Sequence, residues 1–273
     1  MNLRELIYLL TPRRVKFYPS HRSLLRHPTF GEIPYEYWVA PGAVELNADS
    51  VALEAEALRE FLLPGDIAID IGAHNGDSAL PMCLAVGRNG RVIALEPNPV
   101  TFRLLAMNAF NWCHISRLLV FPFAAGDKDF ENNTFDYGRP WLTNGGYHST
   151  SSWAHGSAFE VPVRSMKLET VLSSCLDQED LTKVRYLKID VEGMDFQVLS
   201  TAVWLIRKAS PVIKFEIMRK TSKANREGIS SFFEDLGYSL FLITDEVRME
   251  RHQVPLDFPE KNYSSANYLA IPN

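Results

Sequence analysis

Apolar positions along this chain follow two rhythms that alternate with each other. From Ser50 to Leu63, the residues Val51, Leu53, Ala57, Leu58, Phe61 and Leu62 recur near helical spacing, between an Asp49/Ser50 cap and a Pro64-Gly65 stop. Ile67-Ala68-Ile69-Asp70-Ile71 is instead a short apolar run with one acid near its end, the pattern of a buried strand. A glycine turn follows, then a helix over 77–86, in which Pro81 fits only near the first turn. Strands are predicted over 91–96 and 118–124, with a helix over 100–110 between them that is started by Pro97-Asn98-Pro99.

The alternation resumes after a polar, glycine-rich and aromatic stretch, residues 127–157, which reads as a long loop or hairpin inserted in the core pattern. A strand over 159–163 and a helix over 166–175 come next. A buried strand over 185–190, a helix over 196–206 and a strand over 212–217 then follow. A helix including 229–236 ends at Gly237, and two late strands, 238–243 and 267–271, flank a charged excursion. Strand and helix alternating this often predict an α/β fold with a doubly wound, mainly parallel sheet. Such sheets bind ligands beyond the carboxyl ends of their strands, so the informative residues are expected there.

Composition narrows the class. At 273 residues, 46% hydrophobic and 22% charged, the chain is an ordinary globular protein with room for one large domain and additions. No apolar run reaches the roughly 18–20 residues of a membrane span, and no secretory signal is legible, since Arg13-Arg14 closely follow the short apolar run Leu6–Leu10. Cys83, Cys113 and Cys175 are too few and too scattered for a disulfide framework or a zinc site, which suits a reducing cytoplasm. The net charge is −5, yet residues 1–27 hold six basic residues against the single acid Glu5. The rest of the chain is therefore acidic and a nucleic-acid partner is not expected; the basic arm suits an acidic substrate, an anionic membrane surface or a partner, with a solvated, partly helical extension as the plainer reading. Residues 1–50 are assigned as an N-terminal extension suited to capping a substrate, and residues 51–273 as the main domain. Homo-oligomerisation is left open.

The strand ends carry the candidate chemistry. Asp70-x-Gly72-x-x-x-Gly76 closes the first buried strand, and glycines there let the backbone approach a ligand without a side-chain clash. The helix beyond offers unpaired N–H groups to a carboxylate. Glu96 ends the next strand 26 positions after Asp70, where a carboxylate can accept both hydroxyls of a ribose. A dinucleotide site would instead show G-x-G-x-x-G. The single glycine pair preceded by Asp70 favours S-adenosylmethionine over a nicotinamide cofactor. The cofactor set is Asp70, Gly72, Ala73, His74, Asn75, Gly76, Glu96, Pro97 and Asn98, joined by Asp190 and by Ala125 and Asp127 at the adenine edge. A nicotinamide-dependent oxidoreductase and a non-catalytic cofactor-binding module are the competing readings.

Three blocks carry a specific resemblance: Pro64-Gly65-Asp66-(x3)-Asp70-Ile-Gly-Ala-His-Asn-Gly76, Val92-Ile-Ala-Leu-Glu-Pro-Asn-Pro99, and Leu187-Lys-Ile-Asp-Val-Glu-Gly193. Together with Asn108 and Phe215-Glu216, they resemble the FkbM family of S-adenosylmethionine-dependent methyltransferases over about residues 62–218. The resemblance implies the class I (Rossmann-like) methyltransferase fold, seven strands with the last antiparallel. It also implies O-methylation of a hydroxyl, less often a carboxyl, on a sugar, glycan, lipid or secondary metabolite. Leu168-Glu169 stands where the family usually shows Leu-Asp, His74 and Pro81 are unusual for it, and residues 1–50 match nothing.

A hydroxyl acceptor must lose its proton, so a base or a metal is expected beside the cofactor. Asp190 and Glu192 are the first candidates, with Lys188 on the same strand face as Asp190 and Glu216 closing the adjacent strand. Such a carboxylate cluster either raises one pKa, producing a base, or attracts a hard divalent cation through Asp190, Glu192 and Glu216; no metal is required by this reading. The structural alternative pairs Lys188 with Glu216 and makes Asp190 a helix cap. His148 and His155 lie in the aromatic loop with Trp141, Tyr147 and Trp153, a composition that suits a substrate lid. His148 is the further catalytic candidate from that loop.

Overall fold

The computed structural model describes residues 18–39, 46–137, 145–146, 159–191, 193–253 and 265–273. Two strands, β1 (Ser20–His27) and β2 (Gly31–Trp38), form an antiparallel hairpin ahead of helix α1 (Ala48–Leu58). The core alternation then runs β3 (Ile67–Ile71), α2 (Ala79–Val86), β4 (Arg91–Leu95), α3 (Pro99–Asn111) and β5 (Arg117–Phe121). A separate four-stranded sheet follows, from β6 (Ala124–Gly126), β7 (Glu131–Tyr137), β8 (Gly145–Gly146) and β9 (Phe159–Lys167). Helices α4 (Leu168–Ser173) and α5 (Gln178–Leu181) lead back to β10 (Val184–Ile189). The chain closes with α6 (Asp195–Thr201), α7 (Val203–Ala209), β11 (Val212–Met218), α8 (Lys223–Asp235), β12 (Tyr238–Asp245), β13 (Glu250–Gln253) and β14 (Ser265–Pro272).

The main sheet has eight strands in the order β13-β12-β14-β11-β10-β3-β4-β5. Strands β5, β4, β3, β10 and β11 are mutually parallel, and β14 runs antiparallel between β11 and β12. Seven of these strands reproduce the class I methyltransferase arrangement, the last one antiparallel as expected. Strand β13 is an addition that pairs with β12 inside the excursion read as merely charged. Glu-Arg-His-Gln has no apolar alternation to announce a strand. Its Arg251 is instead fastened from outside, bonded to Glu60 and lying over the rings of Phe61 and Phe241 at 5.2 and 5.8 Å.

Other boundaries shift for identifiable reasons. The strand expected over 118–124 stops at Phe121, because Pro122 cannot donate to the ladder; Ala124–Gly126 pairs instead with residues 165–167 of β9. Residues 166 and 167 continue β9, so the helix after it begins only at Leu168. The helix expected over 196–206 is two, broken at Ala202. The cap of α1 is Asn47, whose side chain accepts from the N–H groups of Asp49 and Ser50 at 2.8 and 3.2 Å. Pro81 is the third residue of α2, within its first turn, as its tolerance requires. Among the described residues no helix is long and apolar enough to cross a membrane.

Both faces of the sheet are covered, which is why its strands read as continuous apolar runs. Ile67, Ile69, Ile71, Leu187, Ile189, Ile213 and Phe215 belong to one core. Ala68, Val92, Ala94 and Tyr186 face a second core, shared with α1, α2 and the hairpin residues Leu25, Ile33 and Tyr35. Residues 20–27 of the basic arm are thus not a partly helical extension but the first strand of a hairpin docked on α3, and residues 1–17 of that arm lie outside the described residues. Asn108 binds β2 as another strand would, accepting from Glu36 N–H at 2.7 Å and donating to Glu36 C=O at 3.0 Å. Trp112 Nε1 donates to the Pro34 carbonyl at 2.8 Å, and Tyr35 stacks on Trp112 with centroids 6.2 Å apart.

Asn108 is fully buried, so its loss strands main-chain groups that water cannot reach. Asn108→Ala is expected to lower the unfolding free energy by about 2–4 kcal/mol. Urea titration followed by circular dichroism measures this, and a loss below about 0.5 kcal/mol would show that the hairpin is not held through this side chain.

Candidate functional site

The turn after β3 is built by close backbone approaches. Gly72 has φ +82°, and a Cβ placed on it would lie 1.9 Å from the Asp190 carbonyl oxygen, so no other residue fits. Gly76, at φ +96°, packs its bare Cα against the Trp112 ring, 3.1 Å from an added Cβ. The Gly72 and Ala73 N–H groups both donate to the Leu95 carbonyl, at 2.9 and 3.0 Å, tying the turn to the neighbouring strand. His74, with φ +49°, aims its N–H at Glu96 Oε2 over 2.8 Å. The other carboxylate oxygen of Glu96 accepts from Asn98 N–H at 2.8 Å. Glu96 is therefore buried and oriented by two backbone donors, and the Thr101 side chain bonds it as well. Burial pushes its carboxyl up, while the His74 side chain and the Asn98 and Thr101 bonds pull it back. Asn98 caps α3 through Val100 N–H at 2.9 Å, and Pro97 bridges it to Glu96.

Beneath the turn lies a buried ion pair. Asp70 has no accessible surface; it accepts from Ser78 Oγ at 2.6 Å and from Lys188 Nζ at 3.3 Å. Lys188 also meets Asp190 Oδ2 at 3.4 Å and the Gly72 carbonyl at 3.5 Å. Burial alone would lower the pKa of Lys188, but the Asp70 and Asp190 carboxylates outweigh it and hold the ammonium above its ordinary range. Asp190 itself stands at the rim, its side chain 47% exposed, and its N–H donates to the Ile71 carbonyl at 3.0 Å. Lys188 thus pairs with Asp70 and Asp190, not with Glu216. Glu216, on the adjacent strand, bonds Ser265, and burial with the nearby Asp190 charge raises its carboxyl.

The expected residues are not all assembled. Gly72 through Gly76, Glu96, Asn98, Lys188 and Asp190 come together at the ends of β3, β4 and β10. Asp70 is sealed below them, bonded to Ser78 and Lys188. Ala125 is half-buried in β6 opposite Met166, and Asp127 is exposed in the turn that follows. Glu192 and His148 lie outside the described residues. Among the described residues no group of three His, Cys, Asp or Glu side chains forms a metal site.

Three groups went unnoticed in the sequence. Asp195 is buried at the start of α6, its Oδ1 accepting from Glu216 N–H at 2.9 Å and its Oδ2 from Val191 N–H at 3.4 Å. It therefore joins the exits of β10 and β11, and burial pushes its carboxyl up to about 7 against those two bonds. Its place one turn ahead of the apolar pair Val198 and Leu199, on the helix face they bury, was the available signal. Lys214 Nζ meets Glu246 Oε2 at 2.9 Å, and Asn267 Nδ2 meets Glu246 Oε1 at 2.8 Å. Glu54 lies on the same helical face as Val51 and Leu58, an acid where the stripe should be apolar. Burial raises it to about 7, opposed by Lys214 and reinforced by Asp77 and Glu246.

Against known proteins, the profile described as the methyltransferase FkbM domain matches residues 70–240, more than half of the chain. None of the curated proteins matches it. A methyltransferase FkbM structure from Methylobacillus flagellatus KT is similar at 14% identity and a TM-score of 0.45, over 79% of this chain and 50% of that one. The chain thus spans about half the length of that structure. Aeropyrum pernix fibrillarin, solved with natively bound S-adenosyl-L-methionine, is similar at 12% identity and a TM-score of 0.45, over 93% of this chain and 100% of the other. Precorrin-6y C5,15-methyltransferase from Geobacter metallireducens GS-15 shows 15% identity and a TM-score of 0.42, over 85% and 92% of the two chains. The matched profile runs through Gly72, Glu96, Lys188, Asp190 and Glu216, and the sheet has the strand order of class I methyltransferases. The chain belongs to the methyltransferase FkbM domain family.

Proposed function

We propose that the protein transfers a methyl group from S-adenosylmethionine to a hydroxyl oxygen of a sugar, glycan, lipid or other small-molecule acceptor. The observation that carries this reading is the orientation of Glu96. Its buried carboxylate is held by the His74 and Asn98 amides and the Thr101 side chain, beside a turn whose glycines leave the backbone bare. A carboxylate fixed in that direction suits the hydroxyls of a ribose, and the opening of α2 beyond Gly76 suits an amino-acid carboxylate. Bound there, S-adenosylmethionine supplies an electrophilic methyl group on a sulfonium.

The remaining work falls to the residues at the neighbouring strand end. Asp190 is the exposed member of the ion-paired set, and Lys188 and the Ile71 carbonyl fix its direction from below. It is the group placed to take the proton of an acceptor hydroxyl as the oxygen attacks. Lys188 acts through Asp190 and Asp70 as a positioning residue. Asp195 holds Val191 and Glu216 by their main-chain N–H groups, so the two strand ends keep one separation while the acceptor is aligned. Alignment of this kind is worth on the order of 7–11 kcal/mol of barrier where the geometry is good.

Two measurements test the assignment. Glu96→Ala is expected to weaken S-adenosylhomocysteine binding roughly ten- to hundredfold, the worth of a hydrogen bond to a charged group. Calorimetry reads this directly, and wild-type affinity in the variant removes Glu96 from the ribose role. Asp190→Asn is expected to reduce transfer of labelled methyl into an acceptor extract by about 10²–10⁴-fold while affinity for S-adenosylhomocysteine stays within a few-fold. Undiminished transfer in that variant would exclude Asp190 as the proton acceptor.

A further inference from the structure

We propose that the N-terminal hairpin completes the cofactor site: Tyr35, and the Glu36 backbone acting through Asn108, are positioning groups for the Asn75 corner of the glycine turn. The ligand named rests on the function proposed above; the mechanical link rests on the contacts alone. Residues 20–38 precede the family match, which starts at residue 70. Their link to the turn runs through Asn108, which lies inside that match.

The corner needs an external hold. His74 at φ +49° and Gly76 at φ +96° flank Asn75, so the chain makes two left-handed excursions within three residues. A non-glycine residue in that region is strained and persists only where its surroundings over-determine it. Glu96 secures one side by accepting the His74 N–H. The opposite side is secured from the hairpin. The Asn75 carbonyl accepts from Asn108 Nδ2 at 2.8 Å, and the same Asn108 amide engages both main-chain groups of Glu36 on β2. The Asn75 side chain shares a hydrogen bond with Tyr35, and its Oδ1 sits 3.2 Å from His74 Nδ1.

A third contact reaches Gly76. Tyr35 stacks on Trp112 at an interplanar angle of 8°, Trp112 is tied to the Pro34 carbonyl, and the far side of its ring closes on Gly76. Pro34, Tyr35 and Glu36 are consecutive, so one stretch of β2 touches the corner through a side chain, an amide relay and a ring. Tyr35 and Asn108 are wholly enclosed, which makes each of these bonds obligatory once formed.

Tyr35→Phe isolates the link, because phenylalanine keeps the stack on Trp112 and removes only the hydroxyl. The expected result is a three- to tenfold rise in the dissociation constant for S-adenosylhomocysteine, with the amides of Ala73, His74 and Gly76 exchanging several-fold faster and those of β10 and β11 unchanged. Asn75→Ala should have a similar effect, and the double variant should lose no more than the worse single one. Unchanged affinity, or faster exchange spread evenly over the sheet, overturns the proposal. A wild-type chain that binds no S-adenosylhomocysteine refutes the function reading instead, and local exchange at residues 73–76 then decides the brace on its own.

Discussion

The ammonium of Lys188, enclosed between Asp70, Asp190 and the Gly72 carbonyl, is the contact on which the site depends. A buried charge is tolerated only with a full set of partners, since removing one leaves a desolvated ion. Here each partner belongs to a different working part. Asp70 lies near the end of the first core strand and recruits Ser78 at the opening of α2, Gly72 begins the glycine turn, and Asp190 stands at the exposed rim. Ser78 gives its hydroxyl to Asp70 and makes no side-chain cap for its own helix. The local rule for a helix start yields here to the needs of the ion pair.

Much of this was readable in the residues. The alternation of apolar runs and helical stripes located the parallel core strands and, with the family blocks, their carboxyl ends, because strands covered on both faces must be apolar throughout. Glu96 and the Gly72/Gly76 pair were legible for the same reason: an acid and two bare positions at strand ends break a pattern that is otherwise strict. What escaped notice lacks a local signature. Glu-Arg-His-Gln becomes strand β13 because of a partner strand and the clasp around Arg251, neither of which neighbours it in sequence. The hairpin of residues 20–38 has a basic, weakly patterned first strand, and its stability comes from Asn108 and Trp112, more than 70 positions away. Asp195 looks like any first-turn acid until the fold brings Glu216 to it.

The chain also divides its labour across the boundary of the family match. Inside the boundary lie the turn, Glu96, Lys188 and Asp190. Outside it lie the hairpin, Glu54 on α1, and Glu246 in the β12–β13 turn, which meets Lys214 and Asn267. Glu54 and Glu246 both act electrostatically on Lys214, so two segments remote in sequence meet over one part of the sheet. The shared domain lays down the strand ends, and the flanking segments enclose them.

Where Gly72 passes Asp190, there is no room for a single methyl group between main chains. Two loops that touch without side chains between them cannot be shimmed: neither can be widened, tilted or re-lined by exchanging one residue for another. Variation in what such a protein accepts must then come from the walls around this seam, leaving the seam itself as the hinge-pin of the design.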